Sequence, residues 1–147
     1  MVAHSLGVLF SLYAVREGVA AERVVAISGV AEFQYLVDTF CKDLGLRPSV
    51  NPALRRSIET KLFEGNGDIW TRASPAQPAE CDLLIVQDDL DRVVIPSQAA
   101  LLVAAYGARA RLVATSGLGH GRILTAASVV DEAMEFLTAT SPAESTS

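Results

Sequence analysis

Short apolar runs alternate along the chain with segments in which apolar residues recur every three or four positions. The runs at residues 23–28, 82–87 and 111–115 are nearly continuously apolar, which is typical of strands covered on both faces. The alternation of such strands with helices is the pattern of βα units, which form parallel sheets. We therefore predict an α/β fold with three or four parallel strands and flanking helices.

Five segments are predicted to be helices, three of them (33–44, 54–62 and 129–137) from apolar residues that recur every three or four positions. They cover residues 6–17, 33–44 and 54–62, a stretch that begins around Pro96, and residues 129–137. Gly18 and Gly45 follow the first two segments, and glycine is favoured after a helix because it tolerates a positive φ. Residues 65–80 are rich in Gly, Pro and Ala and are predicted to form a loop.

The composition fits one domain with a substantial core. The chain has 147 residues, of which 50% are hydrophobic and 20% are charged, and its mean hydropathy is +0.33. This length leaves no room for a second core, so we predict a single domain over residues 1–139. Residues 140–147 are dominated by Ser, Thr, Ala and Pro and are predicted to be a disordered tail.

Charge and hydropathy argue against several partners. The formal net charge is −5 and the twelve Lys and Arg residues are scattered, which disfavours a nucleic acid and an anionic membrane surface. Apolar stretches such as residues 101–106 fall far short of the ~20 residues that a membrane-spanning helix needs. Residues 1–10 lack the cationic start of a signal peptide, so we expect a cytoplasmic protein.

The two cysteines, Cys41 and Cys81, are too few for a disulfide scaffold and lack the spacing of metal ligands. We expect both thiols to be buried and reduced. The sequence thus indicates neither a metal nor a cofactor.

The segment from Ala3 to Gly7 has the form small-x-Ser-x-Gly and lies between an apolar stub and a helix. This is the context of a nucleophile elbow, in which small residues let the backbone reverse tightly around a strained serine. Ser5 is therefore a candidate nucleophile. The alternative is that Ser5 only caps the first helix.

Two further polar residues follow predicted strands, at the edge where open parallel sheets gather functional groups. Asp91 follows the strand at 82–87, and His120 follows the strand at 111–115 in a glycine-rich loop, where a histidine is reachable rather than packed. The alternative for Asp91 is a solvated acidic loop. His4 competes with His120 as the base, but its side chain is expected to point into the surroundings of the turn.

These residues have the order and the chemistry of a serine hydrolase. Asp91 follows Ser5 by 86 residues and His120 follows Asp91 by 29, which is the chain order of the α/β-hydrolases. A serine hydroxyl is a poor nucleophile until a neutral imidazole takes its proton, and a buried carboxylate fixes the tautomer of that imidazole. The three groups would then lie on one rim of the sheet.

The chain resembles the α/β-hydrolases over nearly its whole length, as far as residue 137. The matching landmarks are residues 2–7, 23–28, 81–96 and 110–124. The resemblance implies a partial α/β-hydrolase fold that begins at the nucleophile elbow, with Ser5, Asp91 and His120 as nucleophile, acid and base.

The segment before the acid departs from the family pattern. In the family the strand ends in His-Gly and an Asp follows three residues later, whereas here those two positions are Gln87 and Asp88. Asp91 stays in register, and Asp89 is the alternative acid.

The helices at about residues 31–80 fall where the family inserts a cap between its sixth and seventh strands. Because such a cap roofs the acyl pocket, the resemblance implies substrate contacts from aromatic and aliphatic side chains of this region, with core packing as the alternative for most of them. The candidates are Phe33, Tyr35, Leu36 and Trp70.

In the family, about four strands and two helices precede the elbow, and they supply the first amide of the oxyanion hole. The second amide is that of the residue after the nucleophile, here the backbone of Leu6. The loss of one such donor costs about 2.7 to 4 kcal/mol, or ~10² to 10³ in rate. We therefore expect a chain truncated in this way to have impaired activity.

Two functions remain open. The chain is either a serine hydrolase that acts on a small acyl ester or related bond, or a non-catalytic hydrolase-like module that associates. An unpaired strand at the N-terminus would expose an apolar sheet edge, and exposed edges recruit partners. We therefore expect a homodimer, or a complementing chain, at the face near residues 2–10.

Overall fold

A parallel sheet runs through the part of the chain that the computed structural model describes, residues 1–75 and 77–139. Its four strands are β1 (Val2–His4), β2 (Arg23–Ile27), β3 (Asp82–Asp88) and β4 (Ala110–Thr115), which lie side by side in chain order. The predicted α/β fold is therefore confirmed. The predicted disordered tail, residues 140–147, lies outside the described residues.

The two central strands explain the continuous apolar runs of the sequence. Residues 24–27 of β2 and 83–88 of β3 are all buried, because helices cover both faces of the sheet. The predicted bounds of β2, β3 and β4 are correct to within one residue. The apolar stub at the start of the chain forms β1, which brings the number of strands in the described sheet to four.

The parallel register brings the carboxyl ends of the strands to one edge. His4 of β1 pairs with Ile27 of β2, and Asp88 of β3 pairs with Thr115 of β4. Segments that leave the strands here enter the crevice where open α/β sheets bind their ligands. The three candidate catalytic residues all lie on such segments.

Seven α-helices flank the sheet in residues 1–75 and 77–139. They are α1 (Leu6–Arg16), α2 (Phe33–Asp43), α3 (Val50–Leu62), α4 (Ile69–Arg72), α5 (Pro96–Tyr106), α6 (Gly119–Arg122) and α7 (Ala127–Thr138). Two 3₁₀ turns, Gly107–Arg109 and Ile123–Thr125, precede β4 and α7. None of the described helices is long and apolar enough to cross a membrane.

Two helical segments differ from the sequence prediction. α3 starts at Val50 rather than after Pro52, because the first turn of a helix leaves its N–H groups unpaired and so tolerates a proline. α4 interrupts the predicted loop at 65–80, because the side chain of Ile69 is buried in an apolar cluster that holds the turn in place.

Each face of the sheet has its own apolar cluster, because successive residues of a strand point to opposite faces. Val24 and Leu83 belong to the cluster that packs against α1 and α5, whereas Val25 and Leu84 belong to the cluster under α7. This core on both faces fixes the strand ends on which the site is built.

The helices between β2 and β3 pack over the edge where the strands end. A third cluster joins Leu9 of α1, Val30 after β2, Ile69 of α4 and Val94 after β3. Partly buried side chains of the same region pack against it, namely Phe33, Tyr35, Leu36, Phe63 and Trp70. This is the short helical insertion that the sequence predicts.

Both cysteines are buried and unpaired, as predicted. Burial raises the pKa of the Cys81 thiol above its ordinary value, against the opposing effect of Arg109. The thiol therefore stays protonated at neutral pH and behaves as a small apolar side chain.

Candidate active site

Ser5 occupies a sharp turn between β1 and α1. Its φ of 55° and ψ of −127° define a backbone conformation that costs a non-glycine residue of order 1–3 kcal/mol. The Ser5 N–H donates to the carbonyl of Ile27 (3.1 Å), and the Val30 N–H donates to the carbonyl of Ser5 (3.1 Å). The Ser5 side chain makes no capping hydrogen bond to α1, so capping does not explain this serine.

Gly29 allows the loop after β2 to approach this turn closely. A Cβ atom at position 29 would lie 2.7 Å from a methyl carbon of Val8, and Val8 is fully buried in α1. A larger residue would therefore push the loop away and break the bond from Val30 to the Ser5 carbonyl.

The imidazole of His120 lies between the hydroxyl of Ser5 and the carboxylate of Asp91. Its Nε2 is 3.1 Å from Ser5 Oγ, and its Nδ1 is 2.8 Å from Asp91 Oδ2. An ionised carboxylate can only accept, so Nδ1 carries the proton in the neutral ring and Nε2 is left to accept the proton of the Ser5 hydroxyl. The structure thus brings together the three residues that the sequence singles out.

The carboxylate of Asp91 is buried and fully hydrogen-bonded. Its Oδ1 accepts from the N–H groups of Val93 (2.8 Å) and Val94 (3.0 Å), while Oδ2 faces His120. Burial by itself would raise the pKa of Asp91, but the hydrogen bonds from His120 and from the N–H groups of Val94 and Val93 outweigh it and lower the pKa. Asp91 is therefore ionised at neutral pH.

The acidic run at 88–91 is not a uniform solvated loop. Asp88 and Asp91 are buried, whereas Asp89 is exposed. The carboxylate that contacts His120 is therefore that of Asp91 and not that of Asp89. No group of His, Cys, Asp and Glu side chains in residues 1–75 and 77–139 is arranged to hold a metal ion.

His4 lies against the candidate base, a contact that the sequence does not predict. Its Nε2 donates to the backbone carbonyl of His120 at 3.0 Å, and the two ring centroids are 4.5 Å apart. Burial lowers the pKa of His4, with the nearby ring of His120 acting in the same direction and the bond to the carbonyl opposing it. A neutral His4 can therefore hold the base loop without placing a second positive charge beside His120.

Gln87 and Asp88, the two departures from the family pattern, both have structural partners. The amide of Gln87 donates to the carbonyls of Val94 (3.0 Å) and Asp88 (3.1 Å), and so braces the loop that carries Asp91. Asp88 is fully buried and accepts hydrogen bonds from the segment that leads to His120. Neither contact could be predicted from the sequence, because both depend on which strands are neighbours.

An apolar cavity of about 460 Å³ opens beside Ser5. Its walls come from the turn at Ser5, from α2 and α3, and from the loop before α5. The lining residues are Ser5, Leu6, Val30, Phe33, Tyr35, Leu36, Val37, Thr39, Phe40, Asp43, Leu54, Ile58, Val93 and Val94. Three of the four predicted substrate-contact residues therefore face this space.

Trp70, the fourth, supports the wall of the cavity from behind. Its ring stacks on Phe33 with the centroids 5.2 Å apart, and the guanidinium of Arg55 lies 4.1 Å above it. Its indole N–H donates to Glu59. Trp70 is thus part of the packing of the helical insertion rather than of the surface that faces Ser5.

Leu6 is the first residue of α1, and it lines the cavity next to Ser5. The N–H groups of the first turn of a helix have no acceptor within the helix, and they attract negative charge. The backbone N–H of Leu6 could therefore donate to a negative charge beside Ser5.

Several solved hydrolase structures match this fold. A puromycin-hydrolysing peptidase of Mycobacterium tuberculosis matches with 18% identity and a TM-score of 0.59 over 95% of this chain and 22% of its own. The esterase PE8 matches with 20% identity and a TM-score of 0.53 over 92% and 47%. The esterase domain of a Rhodothermus marinus protein matches with 19% identity and a TM-score of 0.54 over 91% and 57%.

No protein-family model matches the sequence, and no curated protein sequence matches it either. The chain spans only about a fifth to somewhat more than half of these three structures. Identities at this level define a fold rather than an activity. The chain has a partial α/β-hydrolase fold, as the resemblance implies.

Proposed function

We propose that this chain is a serine hydrolase that cleaves a small acyl ester or a related acyl bond through Ser5, His120 and Asp91. The observation that carries the proposal is the continuous hydrogen-bonded path from Ser5 Oγ to Asp91 Oδ2 through the imidazole. An ionised buried carboxylate, an imidazole hydrogen-bonded to it and a strained serine are the groups that nucleophilic acyl transfer needs.

In the first step, Ser5 Oγ attacks the acyl carbon while its proton moves to His120 Nε2. Asp91 remains ionised and stabilises the imidazolium, and the N–H of Leu6 donates to the oxyanion of the tetrahedral intermediate. Collapse of that intermediate breaks the bond to the leaving alcohol, which takes the proton from His120. The product of this step is an acyl ester of Ser5.

In the second step, a water molecule attacks the acyl-Ser5 ester and gives a proton to His120 Nε2. Collapse of the second intermediate returns the proton to Ser5 Oγ and releases a carboxylic acid. The apolar cavity favours a hydrocarbon acyl group, because burial of such a group contributes roughly 25 cal/mol per Å².

The test is hydrolysis of a short-chain activated ester by the wild-type chain, Ser5→Ala and His120→Ala. Both variants should lose activity by orders of magnitude and to a similar degree, because the two groups act as a unit. Ser5→Ala should fold normally, since its hydroxyl makes no helix-capping bond. Equal, slow cleavage by all three proteins would show that the triad is not used.

An exposed apolar surface at the edge of β1 supports a second proposal, the association of two copies of the chain. Met1 and Val2 are 40% and 54% exposed, and β1 pairs with only one neighbour in the described sheet. Edges of this kind recruit other strands.

Light scattering at micromolar concentration tests the association. Wild type should be a dimer, and Val2→Lys should weaken the dimer because a lysine opposes pairing at a strand edge. Val19→Lys is the matched control, because Val19 is 48% exposed and follows the far end of α1. A monomeric wild type, or equal effects of the two substitutions, would contradict the proposal.

A further inference from the structure

The carboxylate of Asp88 connects the loop that carries the acid to the loop that carries the base. Oδ2 accepts from the hydroxyl of Thr115 (2.9 Å) and from the N–H of Leu118 (2.8 Å). Oδ1 accepts from the N–H of Leu90 (3.1 Å). The two loops leave adjacent strands, since Asp88 of β3 lies opposite Thr115 of β4.

Asp88 is fully buried, and within the described residues no Lys, Arg or His forms an ion pair with it. A buried charge is costly unless hydrogen-bond donors replace the water that it loses. Burial by itself would raise the pKa of Asp88, but the donors of Leu118 and Thr115, with two further backbone N–H groups, outweigh it and lower the pKa. The donors thus keep Asp88 ionised at neutral pH.

The segment that Asp88 holds leads directly into the base. Leu118 is bonded to Asp88 and lies two residues before His120. On the other side, His4 holds the carbonyl of His120. Asp88 and His4 therefore fix the base loop from two directions.

We propose that Asp88 is a positioning residue, whose buried carboxylate sets the place of His120 relative to Ser5 and Asp91. This inference rests on the proposed hydrolase function for its kinetic consequences, but the geometry that it describes is independent of turnover. Displacement of a catalytic group by about 1 Å can cost ~10² in rate.

Asp88→Asn is the direct test, because it keeps the size of the side chain and removes one acceptor. In either orientation, the amide nitrogen of Asn faces a backbone N–H, that of Leu118 or that of Leu90, and one bond is lost. We expect kcat for an activated ester to fall about 10- to 100-fold with KM nearly unchanged. Asp89→Asn is the matched control. It removes a carboxylate of the same charge at the next residue, which is exposed, and its kcat should equal that of wild type.

A second pair of variants keeps the test valid if Asp88→Asn fails to fold. Thr115→Val removes one hydrogen bond to Asp88 and keeps a similar shape, so kcat should fall about three- to tenfold. Thr115→Ser keeps the hydroxyl and should restore most of the loss. If Asp88 had only a structural role, Thr115→Val would lower the fraction of folded protein, but the folded Thr115→Val and Thr115→Ser proteins would have the same kcat.

The position of His120 can also be read without turnover. The proton shared by His120 Nδ1 and Asp91 should give a far-downfield NMR resonance in wild type and in Thr115→Ser, and it should weaken in Asp88→Asn and Thr115→Val. If wild type does not cleave esters but shows the resonances predicted here for wild type and each variant, the proposed function would be contradicted and the positioning role of Asp88 would not. An unchanged resonance and unchanged kcat in Asp88→Asn and Thr115→Val would overturn the positioning role.

Discussion

The ionisation of Asp91 decides which nitrogen of His120 carries the proton. Because Asp91 Oδ1 is occupied by the N–H groups of Val93 and Val94, only Oδ2 is directed at the ring. The resulting tautomer leaves Nε2 free to accept the proton of Ser5. At the scale of single residues, the proposed mechanism therefore depends on a carboxylate that would not touch the substrate.

Asp91→Asn should invert this arrangement. The two backbone N–H groups require the amide oxygen on their side, so the amide nitrogen faces His120 and donates to Nδ1. The neutral ring then carries its proton on Nε2 and cannot accept from Ser5. We expect kcat for an activated ester to fall by ~10⁴, whereas Asp89→Asn should retain it; similar rates for the two variants would contradict the assignment.

Acid should destabilise the chain through the same buried carboxylates. The pKa values of Asp88 and Asp91 are both lowered by folding from an ordinary value of 3.8. Their contribution to stability is therefore complete above that value, and it is lost as the pH falls through the lower folded pKa values.

Urea unfolding between about pH 5 and pH 3 measures this effect. The free energy of unfolding of wild type should decrease as the pH falls, and the decrease should be smaller in Asp91→Asn, which has no carboxylate to protonate. A variant with the same pH dependence as wild type would show that Asp91 is not the titrating group.

At the scale of elements, the strands are the part of the fold that the sequence predicts best. The two central strands, β2 and β3, are covered on both faces, so their residues are nearly all apolar and their ends are clear. The bounds of the edge strand β4 are also predicted to within one residue, but several of its residues are exposed. β1 is only three residues long and α4 only four, and patterns of that length carry little periodicity. These short elements form because tertiary contacts hold them.

Under the proposed function, the helical insertion should determine which acyl groups can reach Ser5. Leu36 of α2 faces the cavity, so the larger side chain of Leu36→Trp should fill part of it. We expect kcat/KM to fall for octanoyl esters and to change little for acetyl esters. Leu44→Trp, at an exposed position after α2, is the control and should leave the chain-length preference unchanged.

If Leu36→Trp reduced acetyl and octanoyl ester hydrolysis equally, the cavity would not be the acyl site. The prediction separates the role of the cavity from that of the triad, since acetyl esters need the triad but little of the cavity. The measurement is the ratio of kcat/KM for the two esters in wild type and in each variant.

At the scale of the whole molecule, the site joins segments that lie far apart in the sequence. The identity of Ser5, Asp91 and His120 could be inferred from chain order and from their places after strands. The roles of His4 and Asp88 could not, because their bonds to His120 and Leu118 depend on strand neighbours and loop approach. Sequence order predicts which residues meet, whereas the groups that hold them in place require the three-dimensional structure.

Labelling with a fluorophosphonate tests the central claim most directly, because the probe reacts only with a serine that a base has activated. The account predicts that the folded wild-type chain gains an adduct on Ser5, that Ser5→Ala gains none, and that His120→Ala reacts far more slowly. Ser97→Ala, which removes an exposed hydroxyl on α5, should react as wild type does. A folded wild-type chain that stays unlabelled, or one labelled at another serine, would contradict the account.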